Sequence, residues 1–117
     1  MAFANRAMTA KNWAAALDFL DQVVVMAPDY AEGWNRRATV YYLKSDYGRS
    51  IADIEKVLNL EPRHFGAMAG MAAIMQKLRH EERALYMWHQ VLEVYPANRT
   101  AQKAVIELEE KLSGQDT

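Results

Sequence analysis

The side chains best equipped for chemistry in this sequence are three histidines and the acids near them. His89 and Glu93 stand four residues apart, and His80 is followed directly by Glu81 and Glu82. A four-residue step on a helix brings two side chains to one face, so either group could begin a metal site. Two groups rarely complete one, because zinc usually takes three or four convergent ligands. Solvated helix surface is the expectation for both, and for His64, which follows Arg63 in a turn. There is no cysteine, which removes disulfides, thiolate metal sites and thiol catalysis. No Ser–His–acid set, glycine-rich phosphate loop or buried carboxylate pair can be read. The expectation is a non-enzyme with no catalytic residue, no metal and no cofactor.

The charges exclude further classes. Fourteen basic residues face 15 acidic ones for a net charge of −1, which exerts no broad pull on phosphate backbones or anionic lipid. Nucleic acid is not an expected partner. Nor is membrane insertion, since no apolar run approaches the roughly 20 residues that a spanning helix needs. Half the residues are apolar (51%) and Gly plus Pro are few, at five and three. That composition fits a folded domain with a continuous core.

The elements that must position any site are set out by the prolines. Pro28, Pro62 and Pro96 are separated by 34 and 34 residues, and each closes an apolar phrase: Val23 to Pro28, Val57 to Pro62, Val91 to Pro96. Asn12, Asp46 and His80 fall at equivalent places between the prolines. Asn and Asp are good helix N-caps. His80 is a weaker one, but Glu81 and Glu82 suit a helix start. Between these breaks apolar residues recur by three and four. Trp34, Ala38 and Tyr41 mark one face, and Ile51, Ile54 and Leu58 another. The pattern predicts helices near 2–10, 13–27, 31–44, 47–60, 65–77, 81–94 and 99–112, an all-α stack of three helical hairpins and a capping helix. Residues 113–117 are expected to fray. Ala16, Ala38, Ala72 and Ala84 are the expected points of close helix approach. Met68, Met71 and Met75 share one face and are expected in the core. Arg37 lies on an otherwise apolar face, and Asp53 is its expected structural partner.

The middle unit, from Trp34 through Tyr41 to Pro62, resembles a tetratricopeptide repeat. Trp34, Ala38, Tyr41 and Pro62 match the 34-residue pattern. Arg37 stands where the family has Leu, Ser50 where it has Ala, and Ile54 where it has an aromatic. The third unit carries Met68, Met71, Ala72, Met75, Ala84, Trp88 and Pro96 at those positions, and the first keeps Ala16, Leu20 and Pro28. The resemblance covers about residues 1–98. It implies a right-handed superhelical stack, or α-solenoid, forming a single domain over 1–112. Its units run about 1–30, 31–64 and 65–98, with the capping helix at 99–112.

The resemblance also implies a function: a protein- or peptide-binding adaptor whose concave groove is lined by the first helix of each unit. Carried over, the groove falls on Asn5; on Asn35, Arg36, Thr39 and Tyr42; on Ala69, Gly70, Ala73, Gln76 and Lys77; and on Lys103 of the capping helix. One family subtype grips a partner's C-terminal carboxylates with Lys, Asn and Arg side chains. Of its five positions only Asn5 matches. Met1, Arg36, Gly66 and Gly70 occupy the rest, so docking to chaperone tails by that clamp is not expected. The apolar start of the chain (Phe3, Ala4, Ala7, Met8) leaves two expectations, homodimerisation through that end or a missing upstream segment. A self-associating structural module and a regulatory fragment of a larger protein are the alternative functions. The partner stays unnamed, and the compartment is cytoplasmic by default or extracytoplasmic if a leader has been removed.

Overall fold

The computed structural model describes residue 4 and residues 12–115. The expected first helix and Asn5 therefore lie outside the described residues, save for Ala4. Among those residues there are six helices and no strand: α1 (Trp13–Met26), α2 (Ala31–Leu43), α3 (Tyr47–Leu60), α4 (Phe65–Lys77), α5 (Glu81–Val94) and α6 (Arg99–Gln115). No described helix is long and apolar enough to cross a membrane. The chain divides into two compact units, Met1–Pro62 and Arg63–Thr117.

Side chains at the helix starts account for where the helices begin. Asn12 Oδ1 accepts from the Ala15 N–H at 3.2 Å, and Asp46 Oδ1 from the Arg49 N–H at 3.4 Å. His80 makes no such bond, and α5 starts with Glu81 and Glu82 instead. A second set, 34 residues apart, stands before the other helices. His64 Nδ1 accepts from the Ala67 N–H at 3.0 Å and Asn98 Oδ1 from the Ala101 N–H at 3.0 Å, whereas Tyr30 offers no side-chain cap. His64 is thus a half-buried cap rather than solvated surface. An imidazole nitrogen can do the work of a carboxamide oxygen when its lone pair faces an orphan N–H.

The turns inside the hairpins also repeat. Ser45 and Arg79 take positive φ, 62° and 64°. At the first turn the Ser45 N–H donates to the Tyr42 carbonyl (2.9 Å) and the Asp46 N–H to that of Tyr41 (2.8 Å). At the second, the Arg79 N–H donates to Gln76 (3.1 Å) and the His80 N–H to Met75 (2.8 Å). This paired closure by a left-handed residue is the Schellman motif, usually built on glycine. Here both residues carry a Cβ.

In the first unit Ala4, Ala16, Leu20 and Val40 form one fully buried cluster, flanked by Trp13, Leu17 and Phe19. Ala38, Ile54 and Val57 are also buried, joining α2 to α3. Gly33 lets α1 and α2 approach, since a Cβ there would meet Val23 Cγ1 at 2.9 Å. The buried Ser50 hydroxyl donates to the Ala38 carbonyl at 2.7 Å. In the second unit Ala67, Ala72, Ile74, Ala84, Trp88 and Val91 are buried between α4 and α5, and Ala101, Ala104, Val105 and Leu108 line the inner side of α6. Met68 is buried, while Met71 and Met75 are half-buried. All four alanines expected at close approaches, Ala16, Ala38, Ala72 and Ala84, are buried. Helix α6 runs to Gln115, three residues past the expected end at 112. No proline follows to stop it, and Gly114 stands in open space.

Candidate functional site

The first unit presents its polar groups on α2, and the placement of that helix decides which of them are spent on the fold. Arg37 points inward. Its Nε donates to Asp53 Oδ2 at 2.8 Å and its Nη2 to Asp53 Oδ1 at 2.9 Å, a two-pronged grip on one carboxylate, while Nη1 donates to Asp21 on α1 at 3.0 Å. The Asp53 side chain is only 5% exposed and that of Arg37 19%. Hydrogen bonding to Asp53 holds the guanidinium charged beyond the ordinary arginine value, despite the opposing effect of burial, with the charges of Asp53 and the bond to Asp21 adding to it. The same guanidinium lies 5.1 Å from the Trp34 ring and 5.7 Å from that of Tyr41. Asp53 was expected, and the third member, Asp21, was not. Nothing in the spacing of Asp21 marks it out.

Trp34 itself anchors the start of α2, its indole Nε1 donating to the Pro28 carbonyl at 2.8 Å. In the second unit Gln102 does the same for α6, with Nε2 donating to the Pro96 carbonyl at 2.8 Å. Both donors sit six residues after their proline.

With Trp34, Arg37, Ala38 and Tyr41 so engaged, the opposite side of α2 carries Asn35, Arg36, Thr39 and Tyr42. Asn35 and Arg36 are half-buried and Thr39 is exposed. The Thr39 hydroxyl donates back to the Asn35 carbonyl at 3.0 Å. Arg36 Nε lies 3.7 Å from Glu32 Oε2, one turn earlier, which is too long for a hydrogen bond. That Nε is buried and has no hydrogen-bond partner among the described residues. Tyr42 packs against Tyr47 of α3, ring centroids 5.8 Å apart.

In the second unit α4 carries Ala69, Gly70, Ala73, Gln76 and Lys77 at helical spacing on one side. All but Lys77 are half-buried. Gly66, one turn before, has a local reason to be glycine: a Cβ there would lie 3.1 Å from Cε1 of the capping His64. Gln76 Oε1 accepts from the Trp88 indole Nε1 at 2.7 Å, a bond that sequence spacing alone did not expose. On α6 Lys103 is highly exposed and lies 4.0 Å from Glu107. Lys111 pairs with Glu81 of α5. The structure therefore brings together the α2 residues in one unit and the α4 residues in the other, while Asn5 lies outside the described residues. No group of three metal-ligating side chains exists among the described residues.

Proline-closed helical hairpins, with buried alanines at their crossings and polar residues on one side of each first helix, define an all-α helical-repeat protein. No family model matches the chain. It is 50% identical, over 117 residues, to a TPR repeat-containing protein of Rhizobium etli, and it spans 57% of that relative's length. Among solved structures it resembles the first TPR of Spaghetti (RPAP3) bound to HSP90 peptide SRMEEVD, with a TM-score of 0.88, 19% identity and coverage of 94% of this chain and 87% of that one. It also resembles the second TPR domain of human RPAP3 in complex with HSP70 peptide SGPTIEEVD, with a TM-score of 0.82, 17% identity and coverage of 91% and 88%. The chain is a tetratricopeptide-repeat protein.

Proposed function

We propose that this chain is a non-catalytic module that binds a protein or peptide through the α2 strip of its first unit and the α4 strip of its second. One observation carries this reading. Arg36 holds a buried N–H that finds no acceptor, in a strip whose neighbours Asn35, Thr39 and Tyr42 take no part in the Arg37–Asp53 network. A buried donor left unpaired costs about 1–3 kcal/mol, and an incoming acceptor would relieve it. The two solved neighbours, each holding a peptide in its printed description, support the peptide class.

The kind of peptide differs in this reading. Both printed peptides end in Glu-Glu-Val-Asp, and α4 here offers Gly66 and Gly70 rather than cations to such an acidic tail. The partner proposed is therefore one read by neutral hydrogen bonds and a single guanidinium. The test is capture from native lysate on immobilised protein, followed by mass spectrometry. Arg36→Glu and Tyr42→Ala are expected to keep the wild-type helical circular dichroism and to lose the captured partner. Capture unchanged in both variants refutes the reading.

Self-association is the second reading, favoured by Val25 and Met26 of α1, which are 78% and 82% exposed. Light scattering over a concentration series separates the two. A constant monomer mass that carries a captured partner leaves only the first.

A further inference from the structure

Gln76 sits at the centre of the second unit's chemistry in a way that its place on α4 alone does not reveal. A carboxamide has two faces of opposite character, an acceptor oxygen and a donor NH2, and the indole Nε1–H is a donor only. The 2.7 Å contact between Trp88 Nε1 and Gln76 therefore requires the oxygen, Oε1, at that contact. Trp88 is 4% exposed, so its N–H has no water to turn to and holds the oxygen in place. The amide flip is thereby fixed. Nε2 is left on the other side, and it donates to no described residue.

That other side is a hollow of about 210 Å³ lined by Gln76, Glu81, Glu107, Leu108 and Lys111. Leu108, 3% exposed, is its apolar floor. Lys111 reaches across to Glu81. Glu107 has only Lys103 near it, at 4.0 Å, and its side chain is 61% exposed. The hollow thus sets a directed N–H donor, Gln76 Nε2, beside an accessible carboxylate acceptor, Glu107, over an apolar base.

We propose that this hollow is a subsite for an amide group, whose carbonyl accepts from Gln76 Nε2 and whose N–H donates to Glu107. The volume admits one such group with a short alkyl stem. It excludes a carboxylate, which would meet Glu107 with like charge and no proton to give. An amide reaches the hollow either as a partner's main-chain peptide unit or as an Asn or Gln side chain. The inference deepens the peptide-binding reading by assigning Gln76 as the residue that fixes polarity at this point, and it rests on that reading only for its biological use.

The test needs no natural partner. The full chain, labelled with nitrogen-15, is titrated with N-methylacetamide as the main-chain mimic, with acetamide as the side-chain mimic, and with acetate. The expected result is a saturable movement of the Gln76 side-chain NH2 and the Leu108 backbone amide with one or both amides and none with acetate. Whichever amide saturates at lower concentration names the source. Gln76→Glu keeps an oxygen for Trp88 and removes the donor. It is expected to leave the Trp88 indole N–H resonance in place and to weaken amide binding about tenfold or more, as loss of a hydrogen bond and its replacement by acceptor–acceptor contact imply. Glu107→Gln, at an exposed position, is the second variant and is expected to weaken N-methylacetamide. Linear, unsaturating shifts spread over the surface, equal response to acetate, or unchanged titration in Gln76→Glu overturns the proposal. Loss of partner capture in Arg36→Glu with an intact amide titration, or the reverse, shows which of the two readings has failed.

Discussion

Replacing Arg37 by Leu, the residue that the repeat pattern carries at this place, tests whether the first unit is held by a charge network or merely tolerates one. Asp53 is 3% exposed, and both of its oxygens accept from the Arg37 guanidinium at 2.8 and 2.9 Å. Arg37→Leu strands that carboxylate. Removing one partner of a buried pair costs about 3–5 kcal/mol, because the other charge stays buried without compensation. A loss of that size is expected to lower Tm by roughly 12–20 °C for a chain of this length. Asp21 is different. Its side chain is 56% exposed, so Asp21→Ala should cost below about 1 kcal/mol. The double variant Arg37→Leu/Asp53→Leu removes both charges and fills the space with apolar atoms, and such exchanges are neutral or stabilising by about 1–4 kcal/mol. It should recover most or all of the loss. Urea unfolding followed by far-ultraviolet circular dichroism gives each difference by linear extrapolation. A near-neutral Arg37→Leu, or a double variant no more stable than the single one, refutes the reasoning.

Two further stability effects follow from the repeat geometry. Ser45 and Arg79 occupy left-handed backbone at φ 62° and 64°, and glycine there removes a Cβ conflict of about 1–2 kcal/mol at an entropic cost of about 0.5–1. Ser45→Gly and Arg79→Gly should each raise stability by about 0.5–1 kcal/mol in the same urea assay, and a loss in both denies that the turns are strained. His80 heads α5 without a capping bond, whereas Asn12 and Asp46 cap at the equivalent places. His80→Asn should therefore add about 1 kcal/mol. No gain in thermal melts would mean that Glu81 and Glu82 already satisfy that helix start.

The fold was legible because its signals are local and repeat. The prolines, with Asn12 and Asp46 placed between them, bound helices that the structure reproduces to within a residue at nearly every end. The face of α2 bearing Trp34, Ala38 and Tyr41 gave Arg37 its inward orientation, and Asp53 was the acid in register to meet it. What escaped depends on third dimensions that spacing does not carry. Val40 is fully buried against Ala16 and Leu20, although it stands outside the stripe of Trp34, Ala38 and Tyr41. His64 reads as a surface turn residue until its Nδ1 is seen on the Ala67 N–H. For the site, the positions on α2, α4 and α6 were readable through the resemblance. The commitment of Gln76 to Trp88 was not, since it depends on which end of a carboxamide faces α5.

Arg36 and Arg37 are neighbours with opposite duties, and a single residue step along a helix turns the direction of a side chain by about 100°. The indole of Trp34, tied to the Pro28 carbonyl, therefore acts as an index mark for the rotation of α2. Were that helix to begin one residue later, the two arginines would exchange places: the interior acid would lose its fork, and the outward strip would inherit a residue meant for the inside. Gly33 blocks the same error from below, because no bulkier residue can slide into its place against Val23. Rotational phase, rather than any one contact, is what keeps the recognition chemistry of this repeat separate from its architecture.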